Sequence, residues 1–274
     1  MIQVVCVKWG TRYGAADVNR LMRAVAAHAT EAVRYVCVTD RPDDAYDANI
    51  VLKPFPDFAL PFEHMKSGCR LKLSVFAPGL LSPDDPTIFL DLDTMVRSDI
   101  ARIAEQLRRR PALYMLQNHY VPFWRVQKQL RPILRDRYYF GNSSILAFFP
   151  RAFGYIFADF NTLAAAQSGV LPKHLVSDER FMSYAARDRL RVFPHRLAVK
   201  FAEEFMTPWP FLEALRRRLP WVRARRRGLV AITFVGPTLK PGQLAAMKSG
   251  DLVRYKRLRL RWTDEAISDY WRSP

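Results

Sequence analysis

Two aspartates, Asp91 and Asp93, stand two residues apart at the end of the apolar run IFLDLDTMV, residues 88–96. Residues i and i+2 of an extended strand point to the same side, so both carboxylates face one site where the strand ends. Two hard oxygen ligands on one side suit Mg²⁺ or Mn²⁺, with a substrate diphosphate supplying further oxygens. A capped turn is the alternative for such a pair, but its place after a buried strand favours a metal site.

The segment VKWGTRYGAADVN, residues 7–19, runs from a strand through a glycine-containing loop into a helix. Such a loop can hold a nucleotide against the helix N-terminus. We expect Lys8, Trp9, Gly10 and Tyr13 to line that site, with Trp9 or Tyr13 stacking on the base. The glycine spacing is not that of the GxGxxG fingerprint, and an ordinary turn with a packing tryptophan explains the residues equally well.

Two further segments carry charged residues where a substrate could be bound. Arg70 and Lys72 lie in the apolar run RLKLSVF, from which their cations either reach a diphosphate or extend from a helix edge into solvent. Asp178 follows Ser177 in SDERFMSYA, and the pair makes a good helix N-terminus without any further role. In the functional interpretation, Asp178 accepts hydrogen bonds from sugar hydroxyls.

An alternation of strands and helices positions these residues. The predicted strands span 2–7, 33–39, 87–92, 112–116, 138–149 and 229–235, and the predicted helices span 17–28 (with Asp17 as N-cap), 69–76, 99–109 and 178–186. This order predicts a Rossmann-like, mostly parallel sheet flanked by helices, with its ligand site beyond the carboxyl ends of the strands. We predict one α/β domain over 1–245 and a basic C-terminal extension over 246–274 packed on it.

The composition is that of a globular protein with anionic partners. Half of the 274 residues are hydrophobic and the formal net charge is +17, which excludes a disordered tail and favours phosphates, nucleic acid or an acidic membrane surface as partners. From residue 211 onward, 15 Lys and Arg face 5 Asp and Glu. Three widely spaced cysteines, no signal-peptide pattern and no run of about 18 apolar residues predict a cytoplasmic protein with reduced thiols.

An ordered set of motifs across most of the chain resembles glycosyltransferase family 8 and related GT-A enzymes of bacterial polysaccharide and lipopolysaccharide synthesis. The matching segments are VVCVKWGTRYG, RLKL, FLDLDTMVRSDI with its DxD motif, YFGNSSILAF at 139–148, SDERFMS and ITFVGPTLKP at 232–241. The set is much more specific than any one of its members. The resemblance implies a GT-A fold and a retaining transfer of a sugar from a nucleotide-diphosphate sugar, usually a UDP-sugar.

The resemblance also assigns roles to residues. It implies the following site: Asp91 and Asp93 as ligands of Mn²⁺ or Mg²⁺ and, with Leu92, as part of the nucleotide site; Lys72 and Lys240 near the diphosphate; and Arg70, Asn142 and Asp178 as catalytic or sugar-binding residues. The sequence departs from the family in three places, since Thr233 stands where the family has a metal-ligating histidine, Ser144 replaces a glycine and Glu179 replaces a glutamine. A hydroxyl is a poor ligand for these metals, so water or another residue must complete the shell.

The sequence offers no clear catalytic nucleophile, so we expect the leaving diphosphate to help deprotonate the acceptor, with Asp178 as nucleophile the weaker hypothesis. The run LRRRLPWVRARRRG, residues 215–228, suits an anionic bilayer surface and hence a lipid-linked acceptor, with a glycan as the other acceptor class.

Three rival interpretations remain open. A sugar nucleotidyltransferase shares the fold and the acidic site, although the first loop is a poor version of its glycine-rich loop. A nucleic-acid-binding protein would account for the charge, but no RNP-like, KH or helix-turn-helix signature is present, so no nucleic acid is expected. The third is a sugar-nucleotide binder without activity, which Thr233 in the histidine position would allow.

Overall fold

A computed structural model describes residues 1–117, 133, 141–206, 209–234, 240–248, 250–255, 258–261 and 265–272 of the chain. Its strands are β1 Ile2–Lys8, β2 Val33–Thr39, β3 Ile50–Lys53, β4 Thr87–Leu90, β5 Thr94–Val96, β6 Leu113–Gln117, β7 Gly141–Phe148, β8 Leu190–Val192, β9 Ala198–Lys200, β10 Ala231–Thr233, β11 Leu252–Tyr255 and β12 Leu258–Arg261. The α-helices are α1 Ala15–Ala26, α2 Phe62–Lys66, α3 Ala101–Arg109, α4 Pro150–Phe153, α5 Tyr155–Ala165, α6 Asp178–Ala185, α7 Phe201–Phe205, α8 Pro210–Arg218, α9 Pro220–Arg227, α10 Pro241–Ala246 and α11 Glu265–Arg272, with 3₁₀ segments at Ser67–Phe76 and Lys173–Leu175.

The central sheet has seven strands in the order β3-β2-β1-β4-β7-β6-β8. Strand β7 is antiparallel to both of its neighbours, and the other pairs in this sheet are parallel. The predicted mostly parallel α/β sheet flanked by helices is therefore confirmed, in a single domain. Because β1 and β4 are parallel neighbours, their carboxyl ends meet at one edge, and the loops that follow them share that edge.

Alternation along β1 divides the core between the two faces of the sheet. Val4 and Cys6 pack with the apolar side of α1 and with α3 on one face. Val5 and Val7 pack on the other face with the 3₁₀ segment 67–76 and with α5 and α6. Both faces are buried, which explains why β1 reads as a continuous apolar run rather than an alternating one.

A second sheet has three strands in the order β5-β10-β9, and its strand β5 follows β4 after a short turn. The C-terminal part of the chain after this sheet comprises α10, β11, β12 and α11. Apolar side chains of these elements pack against α7 and Phe234. The boundary at residue 245 stays a prediction. No helix in the described part of the chain is both long and apolar enough to cross a membrane.

Two local predictions need correction. Helix α1 begins at Ala15 rather than at Asp17, because Asp17 lies in the first turn and its carboxylate accepts a hydrogen bond from the Gly14 amide at 2.9 Å. The predicted helix over 69–76 is a 3₁₀ segment that starts at Ser67 and is kinked by positive φ angles at Gly68 and Cys69. Ser177 does cap α6 as predicted, accepting from the Arg180 amide at 3.4 Å.

Candidate active site

A cleft of about 240 Å³ opens at the carboxyl ends of β1 and β4. Its lining comes from the end of β1 and the β1–α1 loop, the end of α2 and the 3₁₀ segment that follows it, the β4–β5 turn and the N-cap of α10. The lining residues are Val7, Lys8, Trp9, Arg12, Tyr13, Lys66, Cys69, Lys72, Asp91, Leu92, Asp93 and Lys240. Most of the sequence-predicted nucleotide, diphosphate and metal residues therefore meet in one place, with Gly10 in the same loop and Arg70 outside the lining.

The turn between β4 and β5 presents both predicted aspartates to this cleft. The Asp91 amide donates to the Ser144 carbonyl of β7 at 2.9 Å, and the Thr94 amide donates to the Asp91 carbonyl at 3.0 Å. Leu92, between them, packs into the core. Asp91 and Asp93 both line the cleft, but they do so from this turn, because β4 ends at Leu90, and not as alternate residues of an extended strand as the sequence spacing predicts.

Each of these carboxylates is held by a lysine. Lys72 Nζ lies 2.7 Å from an Asp91 carboxylate oxygen, and the Lys240 ammonium group contacts Asp93, which also accepts a 3.4 Å hydrogen bond from Tyr13 Oη. Burial and the neighbouring Asp91 raise the pKa of Asp93. Burial alone would lower the pKa of Lys72, but Asp91 and Asp178 outweigh it and raise that pKa. The two carboxylates therefore favour the charged form of Lys72 in the cleft.

A divalent metal does not fit this donor set as it stands. Among the described residues, no three His, Cys, Asp or Glu side chains converge in a way that could hold a metal ion. Thr233, at the position where the resemblance implies a histidine, is fully buried and its hydroxyl has no hydrogen-bond partner. A metal bound by Asp91 and Asp93 would also have to displace two ammonium groups.

The β1–α1 loop turns at Gly10 and contributes two aromatic side chains to the cleft. Gly10 has φ +60, a left-handed conformation that favours glycine, and its amide donates to both Asp40 carboxylate oxygens at 3.1 Å. Trp9 and Tyr13 are half-buried and line the cleft. Lys8 is nearly fully buried and pairs with Asp44 at 2.8 Å, so it stabilises the loop while its side chain also lines the cleft.

A polar chain leads from the aspartate pair towards the N-terminus of α6. Lys72 Nζ lies 3.5 Å from Ser143 Oγ, which donates to Asp178 at 2.6 Å. The adjacent Asn142 side-chain amide donates to Glu179. Burial raises the pKa of Asp178 to about 6, with Lys72 and Ser143 opposing that rise. The predicted sugar-pocket residues Asn142 and Asp178 are thus joined to the cleft through Ser143.

Arg70 lies outside the cleft lining, and its contact with the diphosphate or donor sugar stays a prediction. Its guanidinium group donates to the carbonyls of His64, Leu175 and Val176. These backbone acceptors hold the side chain beside the kink, so Arg70 fixes the 3₁₀ segment that carries Lys72. A sequence pattern cannot reveal such acceptors, since every residue has a carbonyl.

Sequence reasoning missed Arg12, Lys66 and Cys69 in the lining and Ser143 in the polar chain. Of these four residues, only Ser143 could have been predicted from the sequence, because it directly follows Asn142 in the strand motif YFGNSSILAF. Lys66 and Cys69 enter the cleft because the chain turns at Gly68. A Cβ at Gly68 would lie 2.1 Å from the Val176 carbonyl oxygen, so the turn requires glycine.

No protein-family model and no curated protein matches the chain. Among solved structures, the chain is similar to the galactosyltransferase LgtC in complex with donor and acceptor sugar analogues, with 15% identity, TM-score 0.52 and coverage of 88% of this chain and 89% of that one. A Gln-to-Glu active-site mutant of LgtC matches with 16% identity and TM-score 0.53. The bifunctional glycosyltransferase WbbM matches with 15% identity and TM-score 0.57, and the match covers 88% of this chain and 46% of that one. The chain thus shares the GT-A fold of these glycosyltransferases.

Proposed function

We propose that this protein is a glycosyltransferase that moves a sugar from a nucleotide-diphosphate sugar to an acceptor hydroxyl. The observation that carries the proposal is the cleft itself. It lies at the carboxyl ends of β1 and β4 in a glycosyltransferase fold, and it is lined by the glycine-containing β1–α1 loop, two aspartates and the two lysines that pair with them. LgtC, which has this fold, was solved with donor and acceptor sugar analogues.

The donor we propose is a UDP-sugar, by the resemblance of the motifs. Its base would stack on Trp9 or Tyr13, its ribose would lie beside Asp91 and Asp93, and its diphosphate would be bound by Lys72 and Lys240. Ammonium groups form strong charge-assisted hydrogen bonds to phosphate oxygens. The sugar would then extend towards Asn142 and Asp178.

In the proposed reaction, the bond between sugar C1 and the diphosphate oxygen breaks while the acceptor oxygen forms a bond to C1 on the same face. The acceptor hydroxyl proton passes to the leaving phosphate oxygen, and the products are the nucleoside diphosphate and the glycosylated acceptor. Negative charge that develops on the leaving group is stabilised by Lys72 and Lys240. The configuration at C1 is retained, and no step of this sequence passes through a metal.

Asp178 offers an alternative as a covalent nucleophile. Its pKa of about 6 leaves it mostly ionised at neutral pH, and the hydrogen bond from Ser143 orients it. An Asp178→Asn variant that keeps most of the wild-type rate eliminates this alternative, because an amide cannot form the glycosyl ester.

The acceptor we propose is lipid-linked, at the cytoplasmic face of a membrane, with a soluble glycan as the other class. Helices α8 and α9 carry exposed apolar side chains, among them Phe211 (72% exposed) and Trp221 (64% exposed). Exposed Arg218, Arg223 and Arg227 lie on the same two helices. Aromatic side chains beside arginines suit the headgroup region of an anionic bilayer.

The test is turnover of a panel of UDP-sugars with glycan and lipid-linked acceptors, with nucleotide products separated by chromatography. Free UDP together with a glycosylated acceptor supports the proposal. Pyrophosphate from UTP and a sugar phosphate supports a sugar nucleotidyltransferase instead. Salt-dependent binding to random DNA without any affinity for nucleotide sugars supports a nucleic-acid-binding protein, whose affinity falls steeply with salt.

A further inference from the structure

We propose that the Lys72 and Lys240 ammonium groups take the place of a divalent cation in this cleft, so that the donor diphosphate binds without a metal. The inference rests on the proposed function, since it assumes that a nucleoside diphosphate occupies the cleft. Three features of the described residues support it: the partners of the two carboxylates, the missing third ligand and the charge of the lining.

The two aspartates already have cationic partners. The Lys72 side chain is 8% exposed and lies 2.7 Å from Asp91, and the Asp93 side chain, 7% exposed, contacts Lys240. A metal on these carboxylates would leave the Lys72 cation next to a divalent ion in a buried setting. Removing one partner of a buried ion pair is strongly unfavourable. The existing pairs therefore oppose metal entry.

The residue at which the resemblance implies a metal-ligating histidine is a threonine here, on the strand beside the aspartate pair. The Phe234 amide donates to the Asp93 carbonyl at 3.2 Å, and Thr233 lies opposite Thr94 in the β10–β5 pair. Strand β10 is thus fixed directly beside the aspartate pair. The residue of β10 at that point is Thr233, whose hydroxyl is neutral, buried and without a hydrogen-bond partner. The hydroxyl of Thr94 is likewise buried without a partner. Neither side chain supplies the negative or imidazole ligand that a divalent metal prefers.

The lining is positive before any metal binds. Its charged members are Lys8, Arg12, Lys66, Lys72 and Lys240 against Asp91 and Asp93. Lys8 and Lys66 also pair with Asp44 and Glu63 outside the lining. Even with those two pairs neutral, the cleft keeps an excess positive charge from Arg12, which repels a divalent cation and attracts a diphosphate with about one negative charge per phosphate.

The test is isothermal titration calorimetry of UDP into the full chain, once in EDTA and once in Mn²⁺. We expect the same dissociation constant in both buffers, within about twofold. Lys240→Ala weakens UDP binding by about tenfold or more in either buffer, since a charge-assisted hydrogen bond is lost. Lys240→Arg retains most of the affinity, and Lys248→Ala, an exposed lysine outside the cleft, leaves it unchanged.

UDP binding that requires Mn²⁺ would overturn the inference while leaving the proposed donor site intact. So would a Lys240→Ala variant that binds UDP as tightly as wild type in EDTA. Absence of UDP binding in both buffers, with the wild type folded by circular dichroism, would instead remove the proposed donor site and the inference with it. The two failures are therefore distinguishable.

Discussion

Two regions of the molecule bury a pair of acidic side chains against basic ones, in different ways. In the cleft, Asp91 and Asp93 each meet a single lysine ammonium group beside open space. In a second region, which we call the arginine cluster, two glutamates are surrounded by guanidinium groups. The arginine cluster consists of Glu204, Glu213, Arg216, Arg217, Arg225 and Arg226.

The geometry of the basic side chains differs between the cleft and the arginine cluster. Arg226 bridges both glutamates, with Nε 2.9 Å from Glu204 and Nη1 2.7 Å from Glu213, and Arg225 reaches both Glu204 oxygens at 2.8 and 2.9 Å. Such planar forks are fixed by several bonds at once, whereas an ammonium group is a rotatable point charge. The arginine cluster fastens α8 and α9 to α7, while in the proposed donor site the lysines of the cleft would transfer their contacts to a phosphate.

The largest expected effect is on stability in the arginine cluster. Glu204→Ala leaves Arg225 and Arg226 without their main buried partner, and we expect the free energy of unfolding to fall by about 3–5 kcal/mol. Urea denaturation measures this loss. The control is Asp84→Ala, which removes the exposed pair with Arg151 and should change stability by less than about 1 kcal/mol. Equal losses in the two variants would contradict a structural role for the cluster.

The next effect is on stability at the Gly68 kink, in the 3₁₀ segment that carries Lys72. Gly68→Ala places a Cβ 2.1 Å from the Val176 carbonyl oxygen at φ +61, whereas Gly79→Ala meets nothing within 4 Å at φ +77. Both variants carry the left-handed strain of about 1–2 kcal/mol, and the clash should cost Gly68→Ala roughly 2 kcal/mol more. Thermal and urea unfolding of the pair give the difference, and indistinguishable variants would show that the kink tolerates a side chain.

A pH effect of similar or smaller size is expected at Asp178. Burial raises its folded-state pKa to about 6, above an unfolded value of about 3.9, so the folded state holds the extra proton between these values. The resulting stabilisation is present below about pH 4, is lost as pH rises to about 6 and amounts to about 3 kcal/mol. Asp178→Asn lacks this term. Urea denaturation at pH 4 and pH 7 measures the free energy of unfolding of both proteins. From pH 4 to pH 7 the variant should become more stable relative to wild type, because only wild type loses this stabilisation. A difference between the two proteins that does not change with pH would refute the raised pKa of Asp178.

The smallest effect per residue is expected on membrane binding, where exposed arginines should contribute and arginines paired with glutamates should not. Arg223→Ser and Arg227→Ser remove exposed cations of α9, and each should weaken binding to anionic liposomes by about 1 kcal/mol. Co-sedimentation at moderate salt measures this without a loss of stability. Arg225→Ser should do the opposite, lowering stability with little effect on liposome binding. No liposome binding by wild type would remove the membrane proposal.

The βαβ alternation, the aspartate pair and the cap of α6 were predictable because each leaves a local pattern: apolar period, spacing or cap residue. The arginine-rich run was predicted as one binding surface, yet Arg225 and Arg226 point inward to Glu204, which lies some twenty residues earlier. Charge along a sequence does not give side-chain direction. The Gly68 kink was also missed, since RLKLSVF has an apolar content that suits a helix and the reason for the turn is a distant carbonyl.

The central claim is that the cleft, rather than the arginine-rich helices, binds the nucleotide. Amide hydrogen exchange with and without saturating UDP tests it most directly, because protection is read segment by segment. We expect slower exchange in residues 8–13, 91–96 and 240–246 and no change in residues 210–227. Protection confined to 210–227, or none in the three cleft segments, would contradict it.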